Sequence, residues 1–214
     1  METIGPIRSD LISIKNYERK EDKDRIIMIL DSHSSKNFYK SALNKFANWR
    51  QNYSFYEDII NLATKNKNFK FIIKGKNYEF LQIPYYNNIK NLINQNINIE
   101  IYDDKENSPY ELIKKTSLTI SRHTSLVDEL LFRDKPVIIY DAAGYPSTLF
   151  DYGKNLIVHN YDGLEKKFNL WKEDEIKFNE NILKETLNYL PSNRLKISVY
   201  ESLHSYLKKQ FKYY

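Results

Sequence analysis

A short polar turn followed by an acidic helix is the part of this sequence best suited to binding chemistry. The turn runs from Ser121 to Thr124, and the helix after it is predicted to begin near Ser125. Ser125 and Asp128 fit a Ser-x-x-Asp start pattern, in which side chains cap some of the free N–H groups of the first turn. The remaining N–H groups lie at the positive end of the helix dipole and suit a phosphate or diphosphate. An ordinary capped helix that faces water stays the alternative.

Side chains beside this helix start could extend the anion site. Arg122 and His123 would add hydrogen-bond donors, while Thr124 and Ser125 offer hydroxyl groups. Glu129 lies about one turn into the helix, within an otherwise apolar segment. A carboxylate at that position can reach past the phosphate and accept hydrogen bonds from both hydroxyls of a ribose. The turn and the helix together therefore predict a nucleotide site.

Polar groups also follow two other predicted strands. Lys74 comes directly after the second strand, where it could contact phosphate, and a solvated turn is the alternative reading. His33 comes shortly after the first strand and is the candidate for a catalytic base, although a loop histidine exposed to solvent is the alternative. Asp103 and Asp104 form an adjacent carboxylate pair after the third strand, a pattern that could suggest a metal site.

An alternation of strands and helices must position these groups. The predicted strands are residues 26–30, 69–73, 97–102, 117–120, 136–140 and 156–159. The predicted helices are residues 36–50, 54–66, 86–95, a short helix opening at Ser108-Pro109, 125–133, 173–189 and 193–211. This order favours an α/β fold, an open, Rossmann-like parallel sheet of six strands with helices on both faces. Its strand carboxyl ends then meet at one edge, where ligands bind in a crevice.

Composition narrows the possible partners and location. The 214 residues include no cysteine, which excludes disulfides and thiolate metal sites. No apolar run approaches the roughly 18 residues that span a membrane, and the start lacks a signal-peptide plan, so a cytoplasmic location is predicted. The net charge of +5 comes from interleaved charges without a DNA- or RNA-reading motif, so no nucleic-acid partner is expected. A basic amphipathic helix over 193–211 leaves peripheral association with the inner membrane face open.

The stretch SPYELIKKTSLTISRHTSLVDELLFRDKPVIIYD, residues 108–141, carries a family resemblance. It is similar to the donor-binding signature in the C-terminal domain of GT-B glycosyltransferases. Capsule-type and teichoic-acid-type transferases, including CDP-glycerol glycerophosphotransferases, resemble it most, and residues 26–160 follow their whole pattern. The resemblance implies that Thr124 and Ser125 lie at the diphosphate, that Glu129 holds the ribose, and that Tyr102 lies near the base. It also implies no metal cofactor, because the helix dipole and basic groups neutralise the diphosphate.

Two positions depart from the family pattern. Asp134 stands where a glycine usually precedes Lys-Pro, which alters the end of the helix. Lys74-Gly75-Lys76 follows the second strand, where the teichoic-acid-type enzymes often have a basic residue and His-Pro. The missing histidine weakens the expectation of their particular chemistry.

The resemblance divides the chain into three predicted parts. Residues 1–25 resemble a hinge or linker, because TIGPIRSDLI is similar to the segment that enters the second GT-B domain. Residues 26–170 form the nucleotide-donor-binding domain, and residues 171–214 add C-terminal helices packed on it. A GT-B enzyme has a second, N-terminal domain that binds the acceptor. The expected partners are therefore a nucleotide sugar or CDP-polyol donor and an acceptor-binding domain or partner chain.

Three functions follow as hypotheses. The first is the donor-binding half of a glycosyltransferase or glycerophosphotransferase in bacterial surface polysaccharide synthesis. The second is a fragment of a sugar-nucleotide 2-epimerase, which shares the ribose-binding glutamate. The third is a Rossmann-like interaction module without catalysis, which would have no nucleotide affinity and would be indifferent to changes at Glu129.

Overall fold

The fold is built on one parallel sheet. The structure, a computed structural model, describes residues 6–12, 25–31, 49–75, 78–102, 109–122, 124–142, 156–186 and 198–211. The strands are β1 (Ile26–Asp31), β2 (Lys70–Gly75), β3 (Ile99–Ile101), β4 (Thr116–Ser121), β5 (Val137–Tyr140) and β6 (Ile157–Val158). Their order across the sheet is β3-β2-β1-β4-β5-β6, and every pairing is parallel. The predicted α/β, Rossmann-like six-stranded sheet is confirmed.

The helices surround this sheet. The α-helices among the described residues are α1 (Trp49–Lys65), α2 (Asn87–Gln95), α3 (Pro109–Ile113), α4 (Ser125–Phe132), α5 (Tyr161–Glu173), α6 (Glu175–Thr186) and α7 (Val199–Phe211). Three short 3-10 helices are η1 (Ile7–Leu11), η2 (Glu79–Gln82) and η3 (Pro84–Tyr86). Helices α1 and α2 connect β1 to β2 and β2 to β3 toward one sheet edge, and α4 connects β4 to β5 toward the other.

The strands form because their β-branched and aromatic residues can be buried on both faces. In β1, the run from Ile27 to Leu30 is buried throughout. A near-continuous apolar run of this kind is typical of parallel strands covered by helices on both sides. Ile29 pairs with Ile73 of β2 on one side and with Ile120 of β4 on the other. Strands β1 and β4 form the centre of the sheet: β1, β2 and β3 follow one another toward one edge, and β4, β5 and β6 toward the other.

Helix α5 is a part of the fold that the sequence prediction missed. It begins after Asn160, whose side chain accepts a hydrogen bond from the N–H of Gly163 at 2.8 Å. Its buried residues Leu164, Phe168 and Trp171 follow the i, i+4, i+7 spacing of a helix face. The glycine in the first turn is a weak helix former and obscured this signal. The predicted division between 170 and 171 falls inside this helix, and the division itself stays a prediction.

The remaining differences from the predicted elements are small. Helix α1 begins at Trp49, earlier than predicted. Strand β3 begins at Ile99, later than predicted, and Ile97 before it is 98% exposed. The predicted helix over 36–50 lies outside the described residues except for its last two positions. None of the described helices has both the length and the apolar character needed to cross a membrane.

Candidate functional site

The carboxyl ends of the strands bring together side chains that are far apart in the sequence. Asp31 ends β1, while Arg122 and Asp141 directly follow β4 and β5. Lys74 lies near the end of β2, and His159 directly follows β6. The strand order switches direction across the sheet between β1 and β4, and in open α/β sheets ligands bind at the carboxyl edge beside such a switch. The helix predicted to bind an anion, α4, begins at the same edge.

The start of α4 is capped by Thr124. Its side-chain oxygen accepts a hydrogen bond from the N–H of Leu126 at 3.1 Å, and its carbonyl accepts from Val127 at 2.9 Å. Helix α4 begins at Ser125, as the sequence predicts. The expected capping by the side chains of Ser125 and Asp128 is wrong, because Thr124 is the N-cap. Ser125 is exposed, so its hydroxyl and N–H face solvent at the positive end of the helix.

Glu129 lies on the second turn of α4, about 6 Å along the axis from Ser125. Its side chain is only 7% exposed. The carboxylate accepts a hydrogen bond from the Tyr110 hydroxyl, with 2.5 Å between the two oxygens. A buried carboxylate is expensive to keep charged unless it is hydrogen-bonded, and Tyr110 supplies such a bond. The structure therefore places Glu129 as a held carboxylate, largely covered by the protein, near the start of the helix.

Tyr110 is a site residue that the sequence prediction missed. It is the second residue of α3, which begins at Pro109 as predicted. Burial raises the pKa of Tyr110 to about 12, together with its hydrogen bond to Glu129, while contact with Arg8 of η1 acts in the opposite direction. Tyr110 therefore stays a protonated donor at neutral pH. Because the pairing joins residues 19 positions apart on different elements, no local sequence signal indicates it.

Asp128 differs from Glu129 in its surroundings. Burial raises its pKa to about 6, and the negative charge of Glu129 adds to the shift. Its Oδ1 atom is buried and has no hydrogen-bond partner among the described residues. The two adjacent acids of α4 therefore differ in their contacts: Glu129 accepts a hydrogen bond from Tyr110, whereas burial disfavours the charged form of Asp128.

Arg122 lies in a buried ionic cluster beneath this edge. Its side chain is 8% exposed, and burial lowers its pKa against the charges of Asp31 and Asp141, which raise it. Asp31 is also buried and accepts a hydrogen bond from the Tyr56 hydroxyl of α1. Arg122 was expected to reach toward an anion from a turn. The structure directs it toward carboxylates at the ends of β1 and β5, and its contact with a phosphate stays a prediction.

Lys74 and Tyr102 lie together at the ends of β2 and β3. The Lys74 Nζ is 5.6 Å from the centre of the Tyr102 ring and 3.4 Å from the carbonyl oxygen of Gly75. Tyr78 ties the two strand ends by donating to the Tyr102 carbonyl at 2.5 Å and accepting from the Gly75 N–H at 3.0 Å. The sequence predicted Lys74 and Tyr102 as separate contacts. The structure brings them side by side through Tyr78, which the prediction missed.

Some predicted residues cannot be placed in this geometry. His33 and His123 lie outside the described residues, as do Asp103 and Asp104. His159, which the prediction did not single out, lies after β6 with its Nδ1 3.8 Å from the Asp141 carboxylate. An imidazole at this edge is therefore available from the described part of the chain.

No protein-family model matches the chain, and the search of curated proteins finds no match. Solved structures do match its fold. A Listeria monocytogenes protein assigned as a UDP-N-acetylglucosamine 2-epimerase superposes with a TM-score of 0.60 at 11% identity, covering 99% of this chain and 54% of the other. The UDP-GlcNAc 2-epimerase of Neisseria meningitidis, bound to UDP-GlcNAc, superposes with a TM-score of 0.55 at 16% identity, covering 88% and 46%.

A single domain also matches over nearly its whole length. The C-terminal domain of the glycosyl transferase group 1 family protein LpcC from Francisella tularensis superposes with a TM-score of 0.53 at 12% identity, covering 85% of this chain and 96% of that domain. The chain thus spans about half the length of the two epimerases and nearly all of the transferase domain. It has the GT-B-like fold that the sequence resemblance implied.

Proposed function

We propose that this chain is the donor-nucleotide-binding half of a GT-B glycosyltransferase or glycerophosphotransferase in bacterial surface polysaccharide synthesis. The observation that carries this proposal is the start of α4 at the crevice edge, followed one turn later by the hydrogen-bonded carboxylate of Glu129. A helix N-terminus favours a diphosphate, and a carboxylate nearby suits the hydroxyls of a ribose. The match to an epimerase bound to UDP-GlcNAc supports a nucleotide-sugar ligand.

The proposed arrangement gives each group one role. Thr124 and Ser125 lie at the diphosphate, with His123 and Arg122 as further positive groups. Glu129 accepts hydrogen bonds from the ribose hydroxyls. Because its side chain is only 7% exposed, either the sugar approaches that exposed part or the side chain turns outward. Lys74 adds positive charge and Tyr102 lies near the base. The helix dipole and these cations neutralise the diphosphate, so binding is expected to require no metal.

Transfer requires an acceptor, which the proposal assigns to a second domain or a partner chain. Much of the rate of a two-substrate reaction comes from orienting both reactants in one closed cleft. This domain by itself is therefore expected to bind donor nucleotide and to transfer slowly, with His33 as the candidate base. The proposed setting is the cytoplasm, with the inner membrane face as an alternative.

A sugar-nucleotide 2-epimerase is the second candidate, favoured by the fold of the two epimerases. It predicts the same nucleotide site, so nucleotide binding does not separate it from a transferase. Incubation of the chain together with its natural second domain, if one is encoded beside it, would separate them. An epimerase inverts the sugar carbon of the free nucleotide sugar, whereas a transferase leaves it unchanged without an acceptor.

Thermal denaturation with CMP, CDP, UDP and GDP tests nucleotide binding directly. A ligand at 100 times its dissociation constant adds about 2.7 kcal/mol of stability, which raises the Tm by roughly 5–11 °C for a chain of this size. Diphosphates are expected to shift the Tm more than CMP. Glu129→Ala is expected to remove most of the shift, because the ribose hydroxyls lose their acceptor.

Glu111→Ala is the matched control, since Glu111 is exposed and pairs only with the exposed Lys114 among the described residues. It should keep the full nucleotide shift. A Tm that no nucleotide moves would leave the interaction-module hypothesis as the better one. An equal shift in the Glu129 and Glu111 variants would remove Glu129 from the site.

A further inference from the structure

Tyr110 makes the one hydrogen bond that the described residues give to Glu129. The bond joins the Tyr110 hydroxyl to Oε2 at 2.5 Å, and it reaches a side chain that is otherwise covered. An exposed glutamate moves among many rotamers, and ordering it on binding costs affinity. A glutamate already held at one oxygen has less freedom to lose. Tyr110 therefore prepares the carboxylate for any ligand that Glu129 binds.

The bond leaves room for a ligand on the same carboxylate. Two carboxylate oxygens offer about four acceptor positions, and the Tyr110 hydroxyl occupies one of them. Oε1 and the second position of Oε2 remain for two further donors. The 2′ and 3′ hydroxyls of a ribose are two such donors on adjacent carbons. A 2′-deoxyribose supplies only one.

The surroundings of Tyr110 keep its hydroxyl protonated, so that it can donate this hydrogen bond. Burial and Glu129 raise the pKa of Tyr110 to about 12, so the hydroxyl keeps its proton at neutral pH. Arg8 also contacts Tyr110 and acts on its pKa in the lowering direction. Burial raises the pKa of Asp128, the residue next to Glu129, to about 6, and the negative charge of Glu129 adds to this shift. Among the described residues, Tyr110 is consequently the group that donates a hydrogen bond to the Glu129 carboxylate.

We propose that Tyr110 is a positioning residue that holds Glu129 for the ribose and so sets the preference of the site for ribonucleotides over 2′-deoxyribonucleotides. This inference rests on the proposed nucleotide-binding function. Helix α3, which belongs neither to the turn nor to α4, thereby takes part in recognising the sugar. Tyr110 acts through Glu129 and does not touch the nucleotide.

The test compares the affinity for the preferred ribonucleoside diphosphate with that for its 2′-deoxy counterpart, measured by calorimetry. The unsubstituted chain is expected to prefer the ribonucleotide by tenfold or more, because an unused acceptor is left buried when the 2′ hydroxyl is missing. Tyr110→Phe removes the hydroxyl and keeps the ring. Its ribonucleotide affinity should fall about 3- to 10-fold, the loss expected when one side chain must be ordered on binding. Its deoxynucleotide affinity should change less, so the preference shrinks.

Three control measurements separate positioning from damage to the fold. Tyr85→Phe changes an exposed tyrosine and should leave the preference intact. In a Glu129→Ala background, Tyr110→Phe should no longer change the preference, because the two residues act as one unit. Deoxynucleotide binding by Tyr110→Phe shows that the variant is folded.

The outcomes distinguish this inference from the function beneath it. A chain that binds no nucleotide overturns both. A chain that prefers ribonucleotides, and keeps that preference in Tyr110→Phe, retains the nucleotide site and overturns the role of Tyr110. A stronger preference in Tyr110→Phe also overturns it, since Tyr110 would then compete with the ribose for Glu129.

Discussion

At the scale of single residues, Asp128 and Glu129 are adjacent acids whose surroundings separate their behaviour. Glu129 is more deeply buried but receives the Tyr110 hydroxyl, whereas the buried Oδ1 of Asp128 has no partner among the described residues. A buried acid without a hydrogen bond favours its neutral form. Two unlike acids therefore lie near the start of the helix, which attracts negative charge. Glu129 accepts a hydrogen bond, whereas Asp128 costs stability when it ionises.

Asp128→Asn is expected to stabilise the protein at pH 7.5 by about 1 kcal/mol, a value reduced because the side chain is partly exposed and water screens its charge. The folded pKa of Asp128, about 6, lies above its ordinary value of 3.8. Native protein therefore holds the proton more tightly than unfolded chain, and stability falls as pH rises between these values. Above about pH 6 the full cost is present, and below about pH 4 it is absent. Urea unfolding at pH 7.5 and pH 4 measures the difference.

Asp162→Asn is the control for this prediction, because Asp162 is an exposed acid in the first turn of α5. Its effect is expected to stay within about 0.5 kcal/mol at both pH values. A gain for Asp128→Asn of the same size at pH 4 and pH 7.5 would contradict the titration. No gain at pH 7.5 would show that the helix dipole offsets the burial of the carboxylate.

Asp134 shows how a departure in sequence is accommodated by the backbone. Its φ is 52°, in the left-handed region that glycine adopts most easily. The residue follows the C-cap of α4, where chains commonly leave a helix through this conformation. The resemblance expected a glycine here, and the structure gives the physical reason: the turn into β5 needs a positive φ. Asp is among the non-glycine residues that adopt it most readily.

Asp134→Gly is expected to be more stable than Asp134→Ala by about 1 kcal/mol, or roughly 2–4 °C in Tm. Both variants lose the aspartate side chain, so contacts made by that side chain cancel in the comparison. The difference reports the backbone alone, because alanine is strained at positive φ and glycine is not. Thermal denaturation of the two variants measures it. Equal Tm values would contradict the left-handed conformation at this position.

At the scale of elements, helix α5 fastens the C-terminal part of the chain to the sheet. The Trp171 ring lies 5.8 Å from Phe69, which directly precedes β2, and Phe168 stacks on Phe71 of β2 at 6.1 Å. The guanidinium of Arg25, directly before β1, lies 4.7 Å from the Trp171 ring and pairs with Glu175 of α6 at 3.0 Å. Helices α5 and α6 are therefore part of the core of the sheet domain.

Trp171→Ala is expected to destabilise the protein by about 3–5 kcal/mol, the usual cost of removing a fully buried large aromatic side chain. Its neighbour Leu170 is 50% exposed, so Leu170→Ala on the same helix should cost well under half as much. Urea unfolding followed by circular dichroism measures both. Similar losses in the two variants would mean that α5 is not packed as the structure has it.

The sequence predicted the strands and the start of α4, but not the contacts that join them to other elements. The strands were predictable because runs such as Ile27 to Leu30 are buried on both faces and leave a continuous apolar signal. The start of α4 at Ser125 was predictable from its turn and apolar periodicity. The bond from Tyr110 to Glu129 and the burial of Arg122 were not, because they depend on which strands lie next to each other. Local patterns carry no information about that order.

At the scale of the whole molecule, the described residues form one sheet domain with its chemistry at one edge. The chain spans about half the length of the epimerases that share its fold. Arg122 and Asp31 are buried at that edge, and the charges of Asp31 and Asp141 act on the Arg122 guanidinium. The start of α4 lies at the same edge.

The carboxylate of Asp10 connects segments from opposite ends of the described chain. It pairs with Arg133 at the end of α4 and accepts hydrogen bonds from the N–H groups of Val199 and Tyr200, at 3.0 and 2.9 Å, where α7 starts. Burial alone would raise the pKa of Asp10, but these N–H groups, Ser198 and Arg133 together hold it below its ordinary value. Arg133 also donates to the carbonyl of Ser9 at 3.1 Å, so displacing η1 or the start of α7 would disturb bonds at the C-terminal end of α4, the helix whose N-terminus lies at the carboxyl edge of the sheet.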